Sequence, residues 1–238
     1  MGYTFRKGLI DGLPVCIGYL SVSFAFGIFA VSSGFSIAEA LMISMFNVTS
    51  AGQLAGVPII AGGGMMAELA MSQLIINLRY ALMSVSLSQR LDSSVRLRDR
   101  FLTAFVNTDE VFAIASSQRD MVGRRYLYGL ILTPYLGWSA GTLLGAIAGD
   151  ILPTVVTSAL GIAIYGMFIA IVTPVARADR ATAICVLIAA VLSFIFYYVP
   201  VLSTVPSGFV IIICAVIAAG IMAVVAPVKP DEEVPNDA

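Results

Sequence analysis

The sequence predicts an all-α, polytopic integral membrane protein with about six full spans plus one or two re-entrant or broken helical segments, giving six to eight membrane segments. Three observations carry this. Of 238 residues, 59% are hydrophobic and only 11% charged, and the mean hydropathy is +0.98, far outside the range of soluble domains. Nearly uncharged apolar runs of about 18 to 25 residues recur from Leu9 into the 220s, the length of transmembrane helices and about twice that of barrel strands. The basic residues gather in short loops between these runs. With a net charge of −1 they set orientation and imply no nucleic-acid partner. Residues 1–228 read as a single transmembrane domain, and 229–238 as a polar, disordered C-terminal tail.

Histidine is absent, which removes the commonest proton shuttle and metal ligand. Cys16, Cys185 and Cys214 lie in apolar segments without C-x-x-C spacing and read as packing residues. No metal site and no cofactor are expected, and with no histidine-based triad, H-E-x-x-H or P-loop the chain is not expected to be an enzyme.

Leu9–Val31 is the first span, and Arg6 with Lys7 ahead of it places the N-terminus in the cytoplasm. It lacks a short h-region with a cleavage site and so reads as a retained helix. Gly8, Gly12, Pro14, Gly18 and Gly27 punctuate it, as expected of a helix in close contact with neighbours or with substrate. Ser36–Ile60 follows, apolar on both sides of Asn47-Val48-Thr49-Ser50-Ala51-Gly52-Gln53. A small, polar interruption points to a transporter binding site, because a half-helix N-terminus offers N–H groups to an anion. A kinked helix or a periplasmic loop would leave the same pattern.

Gly62-Gly63-Gly64 marks a turn before the next span, Met65–Leu87. At 100° per residue, Glu68, Ser72 and Arg79 share one stripe, while Gln73, Asn77, Tyr80 and Ser84 form another. A helix with two polar stripes does not face lipid. Arg79 lies about 12 Å from the end of the span, too deep for easy snorkelling, so a partner is expected. Glu68 is about 16 Å away along the axis, which leaves Asp109 or Glu110.

The basic loop Gln89–Arg100 reads as cytoplasmic, and Phe101–Gln118 carries Asn107-Thr108-Asp109-Glu110 at its centre. An acidic pair inside an apolar segment is a functional-site candidate, since a charge at the bilayer centre costs roughly 2.5–3.5 kcal/mol on insertion scales. Arg119, Arg124 and Arg125 follow the segment as Arg96, Arg98 and Arg100 precede it. Basic flanks at both ends favour a re-entrant or broken hairpin over a span. The remaining spans are Tyr126–Ala148, Thr154–Ala176, Ala181–Val199 and Ser207–Ala226, with the C-terminus cytoplasmic. Gly137, Gly141, Gly145 and Gly149 form an i, i+4 packing seam that could meet another helix or, in a higher oligomer, another subunit. A loose echo between the glycines of the first span and those after Gly129 would suit parallel repeats.

Gly12-Leu13-Pro14, Phe24-Ala25-Phe26-Gly27, the run Gly34 to Ala40, Ala51-Gly52-Gln53, Asn77-Leu78-Arg79-Tyr80 and Thr108-Asp109-Glu110 follow one another along the first half. In this order they resemble the signature blocks of the AzlC-type branched-chain amino-acid permeases. The resemblance implies a bacterial inner-membrane secondary transporter that exports branched-chain and similar apolar amino acids with a small AzlD-type membrane partner, driven by the proton-motive force. Uptake by symport would use the same residues, and a non-transporting scaffold subunit is the reading from a different class.

Together these readings define a candidate site. Backbone N–H groups of Ala51, Gly52 and Gln53 would hold a substrate carboxylate, with Gln73, Asn77 and Tyr80 lining the path. Arg79 would pair with Asp109 or Glu110, and one of these acids would exchange a proton. Glu39, Glu68 and Asn107 are secondary candidates.

Overall fold

The computed structural model describes residues 4–153, 155, 166, 169 and 172–227. These fall into two compact units, one within Met1–Phe168 and one within Ile169–Ala238.

The first unit is built on two 28-residue helices, α1 (Phe5–Ser32) and α7 (Arg124–Ile151). Thr4 starts α1 by accepting the Lys7 N–H at 3.2 Å. The two helices lie side by side and parallel: Gly8 rests on the backbone of Tyr126 and Leu130, Gly12 on Leu130, and Gly27 on Thr142 and Ala146. The glycines of α7 reciprocate, Gly137 against Cys16, Gly141 against Leu20, Gly145 against Phe24 and Gly149 against Ile28. The close approach needs them, because a Cβ on Gly145 would sit 1.9 Å from the Phe24 carbonyl oxygen. This corrects one expectation. The i, i+4 seam meets the first helix of the same chain, so it is not a free surface for another subunit.

Between these helices the chain makes two interrupted helical hairpins around α4 (Met66–Ser88). The first comprises α2 (Ile37–Phe46) and α3 (Ser50–Ala61), broken at residues 47–49. Ser36 and Glu39 form a capping box that starts α2. The helix then descends along α7, with Ser44 Oγ 2.5 Å from Thr142 Oγ1 and the Tyr135 hydroxyl donating to the Met45 carbonyl at 3.2 Å. α3 returns the way α2 came, since Ala40 and Val57 share one buried cluster with Phe26, Ala30 and Ala146 near the C-terminal ends of α1 and α7. Gly63, at φ +68°, then turns the chain into α4, which runs back beside α3.

The second hairpin mirrors the first from the opposite end. α5 (Leu97–Phe105) and α6 (Asp109–Ser116) are broken at residues 106–108. Their 9 and 8 residues rise only about 13 and 12 Å, less than half of a ~30 Å hydrocarbon core. The two feet are tied together: Asp92 N–H donates to Val122 C=O at 3.1 Å, and Val122 N–H to Arg90 C=O at 2.9 Å. The segment centred on Asn107 to Glu110 is thus a hairpin rather than a span. Leu87, Leu91, Val95, Val122 and Leu127 bury its base beside the start of α7.

The second unit holds helical residues 172–178, α8 (Arg180–Tyr198), a 3₁₀ turn at Leu202–Thr204 and α9 (Ser207–Val225). Asp179 caps α8 by accepting the N–H of Thr182 at 2.8 Å, and α9 packs on α8. Among the described residues, α1, α7, α8 and α9 are long and apolar enough to cross a membrane. α4 is as long, at 23 residues, but is interrupted by its polar stripes. Most of the expected span at 154–176 and all of the tail at 229–238 lie outside the described residues.

Candidate functional site

The two hairpin tips meet the middle of α4. Each tip follows a phenylalanine by three residues with a threonine that caps the returning half-helix: Phe46 and Thr49, Phe105 and Thr108. Each also carries an asparagine that reaches α4. Asn47 Nδ2 donates to Gln73 Oε1 at 3.1 Å, and Asn107 Nδ2 donates to Ser84 Oγ at 3.1 Å.

A polar chain links the tips. Gln73 Nε2 donates to the Gly52 carbonyl at 2.8 Å, and Gln73 Oε1 also accepts from Asn77 Nδ2 at 3.3 Å. Thr49 Oγ1 accepts from the Tyr80 hydroxyl at 3.4 Å, and that hydroxyl accepts from Arg79 Nη2 at 3.0 Å. The Arg79 guanidinium also lies 4.8 Å from the Tyr80 ring centroid and reaches Asp109 Oδ2 at 2.9 Å. Glu110 takes another partner, the hydroxyl of Tyr19 on α1, which also lies 2.6 Å from Thr108 Oγ1. The Tyr19 hydroxyl carries one proton, so it donates to one of these two oxygens at a time. Trp138 of α7 packs edge-on against Tyr19, with centroids 5.1 Å apart.

Both acids occupy the first turn of α6, where the positive end of the helix dipole favours them. Arg79 and Asp109 are half exposed, at 51% and 47% of their side-chain area, so their attraction is worth at most about 1 kcal/mol in an aqueous setting.

A pocket of about 180 Å³ opens beside the first tip. Asn47, Gly52, Gln53 and Gln73 form its polar part, and Ile43, Phe46, Ile60 and Leu69 its apolar walls. It lies below the ~300–1,000 Å³ of pockets for drug-sized ligands.

The other sequence candidates separate from this cluster, Gln53 excepted. The N–H groups of Gly52 and Gln53 are taken by the hydroxyl and the carbonyl of Thr49, which leaves Ala51 alone of the three to present one. The Gln53 side chain stays with the cluster: it lines the pocket beside Gly52, its Nε2 donates to Ser44 Oγ at 2.8 Å in a buried chain that ends on Thr142, and its Oε1 is buried without a hydrogen-bond partner. Glu39 is spent on the Ser36 cap, eight residues and about 12 Å from the break. Glu68 is buried in the first turn of α4 beside Gly64, far along the axis from Arg79. Residues 137–141 spell G-x-S-x-G, the pattern of a hydrolase elbow, but they lie within the continuous helix α7 with both glycines against α1, whereas that elbow needs a strand-to-helix turn.

Sequence reasoning missed Tyr19, Thr49, Ser44, Thr142 and Trp138. The repeated spacing from phenylalanine to threonine was a readable signal for the two caps. Nothing local distinguishes Tyr19 from a packing tyrosine.

Residues 14–152, which contain α1 through α7 almost whole, match the family model described as AzlC protein. The chain belongs to the AzlC family. An uncharacterized membrane protein of Archaeoglobus fulgidus is 35% identical over 71% of this AzlC-family chain and 75% of its own length. The inner membrane protein YgaZ of Escherichia coli K12 is 30% identical over 83% of this chain and 84% of its own. No solved structure matches. The family match spans both hairpins and the whole polar chain between them.

Proposed function

We propose that this AzlC-family membrane protein is a secondary transporter that exports branched-chain and similar apolar amino acids across a bacterial inner membrane by proton antiport, acting with a small AzlD-type membrane subunit. Both termini lie in the cytoplasm, as the basic loops favour, and the protein is not an enzyme. The observation that carries the reading is the meeting of two interrupted hairpins, from opposite ends of the bundle, on the polar middle of α4. Interrupted helices are how membrane proteins place backbone and amide groups at mid-depth without exposing them to lipid.

In this reading the pocket at Asn47, Gly52 and Gln73 receives the polar end of the substrate, with the N–H of Ala51 available to its carboxylate and Ile43, Phe46, Ile60 and Leu69 around its side chain. Tyr80 connects that pocket to Arg79 and Asp109. A proton reaching Asp109 releases Arg79, and the substrate ammonium competes for the same carboxylate. Export and proton uptake are thereby coupled through one ion pair. The test is labelled-valine flux in proteoliposomes under an imposed pH gradient, with and without the small subunit. Gradient-dependent flux is expected, and its absence under both conditions overturns the proposal.

A further inference from the structure

The second hairpin carries a pocket of its own. It lies between the last turns of α4 and α5, has a volume of about 190 Å³, and includes Ser84, Ser88, Leu91, Arg100, Ala104 and Asn107. Its dimensions match the 180 Å³ pocket of the first hairpin. The placement matches too. Each pocket is bounded by α4 on one side and reaches the asparagine of its tip, the first lined by both arms of its hairpin and the second by the leading arm α5. The first uses the early part of α4, at Leu69 and Gln73, and the second the late part, at Ser84 and Ser88. Asn77 to Tyr80 and the Arg79–Asp109 pair lie between them.

One atom points to a ligand. Asn107 is 3% exposed; its Nδ2 is satisfied by Ser84, but its Oδ1 is buried without a hydrogen-bond partner. A buried amide oxygen without a donor is unfavourable, and a primary ammonium is a donor that fits it. The walls are apolar, from Leu87, Leu91, Leu97 and Phe101, while the exposed Arg100 supplies a positive rim. A buried acceptor, apolar walls and a cationic mouth are together complementary to a small apolar amino acid, whose carboxylate the rim attracts before its ammonium reaches the floor.

We propose that this pocket is a second binding station for the solute, toward the other end of α4 from the Asn47–Gln73 pocket and separated from it by the Arg79–Asp109 pair. The inference rests on the amino-acid reading of the first pocket. In an exporter it is the loading site.

The experiment uses the full-length chain in liposomes, alone and with the small subunit. Ser88→Cys places a thiol in the pocket, and the unmodified chain, with its three native cysteines, gives the labelling background. Maleimide labelling of Ser88→Cys should slow at least severalfold in millimolar valine and remain unchanged in lysine or aspartate. Asn107→Ala in the same background should remove the protection. Leu102→Cys, which lines a separate groove on α5, reports movement of the hairpin and should be indifferent to valine. Protein that transports valine while Ser88→Cys labels at the same rate with and without it overturns the second station. Equal protection of both cysteines also overturns it, because movement and not occupancy is then the cause. Failure of the unmodified chain to transport valine is a separate result, which overturns the functional reading beneath it.

Discussion

Gly145→Ala and Gly18→Ala place the same methyl group on the same parallel helix pair with opposite expected signs. At Gly145 the new Cβ would lie 1.9 Å from the Phe24 carbonyl oxygen and 2.7 Å from its carbon, whereas at Gly18 nothing lies within 4 Å. Real Cβ atoms keep about 3.0 Å from such neighbours, so α7 must retreat from α1 by roughly 1.1 Å (3.0 less 1.9). Neither partner atom is a flexible side-chain end, and the flanking glycines at 141 and 149 lose their contacts with Leu20 and Ile28 as the helices part. Overpacking of this kind costs about 1–3 kcal/mol, against a gain of roughly 0.5–1 kcal/mol from replacing a helical glycine by alanine. Gly18→Ala collects only the gain. Thermal unfolding in detergent, followed by circular dichroism, should therefore show Gly145→Ala melting several degrees below the parent and Gly18→Ala at or slightly above it. Equal stability of the two variants would refute the close parallel packing of α1 and α7.

Three further outcomes follow from the site and its supports. Asp109→Asn should abolish gradient-driven valine flux yet shift the melting temperature little, because a half-exposed ion pair contributes at most about 1 kcal/mol; unchanged flux in proteoliposomes removes this acid from the proton path. Asp99, in the first turn of α5, accepts from the Tyr128 hydroxyl and from the Arg96 N–H at 2.8 Å, and these bonds hold its carboxyl below the usual carboxylate range. A depressed folded-state value means its contribution is fully present above about pH 4, the unfolded aspartate value, and is lost as pH falls through the lower folded value. Melting curves taken between pH 6 and pH 3 should show an acid limb that Asp99→Asn flattens. Cysteines at Arg90 and Arg119 should share one labelling pattern with a membrane-impermeant reagent, both resisting it from outside, because the Asp92–Val122 and Val122–Arg90 bonds fix the two feet of the hairpin together; labelling of only one would contradict the hairpin.

The helical membrane class was legible because bilayer thickness imposes a run length that composition reveals directly. The interruptions at 47–53 and 107–110 were visible for a related reason: polar residues in the middle of an apolar run stand out against the cost of burying them. Charge bias gave Phe101–Gln118 its two like feet, and the depth of Arg79 narrowed its partner to two adjacent acids. The split between those acids was not readable. It depends on Tyr19, 90 residues before Asp109, whose hydroxyl takes Glu110 and leaves Asp109 to the arginine. Nor could the sequence assign the Gly137–Gly149 seam to α1, since a small-residue ladder declares close contact without naming the neighbour. The N–H groups of Gly52 and Gln53 were expected for a ligand because the capping role of Thr49 went unread.

The parallel pairing of α1 with α7 also sets an order of events during synthesis. Gly8 meets its partner near Gly129, about 120 residues later, an interval of roughly 6–24 s at 5–20 residues per second. Throughout that wait the glycine face of α1 has only lipid or the helices α2 to α6 beside it, and the second hairpin, whose base closes on Val122, Tyr126 and Leu127, lacks that wall. A nascent chain stopped before residue 124 therefore holds every residue of the polar chain linking the two tips, yet lacks the α7 wall against which α1 and both hairpins pack.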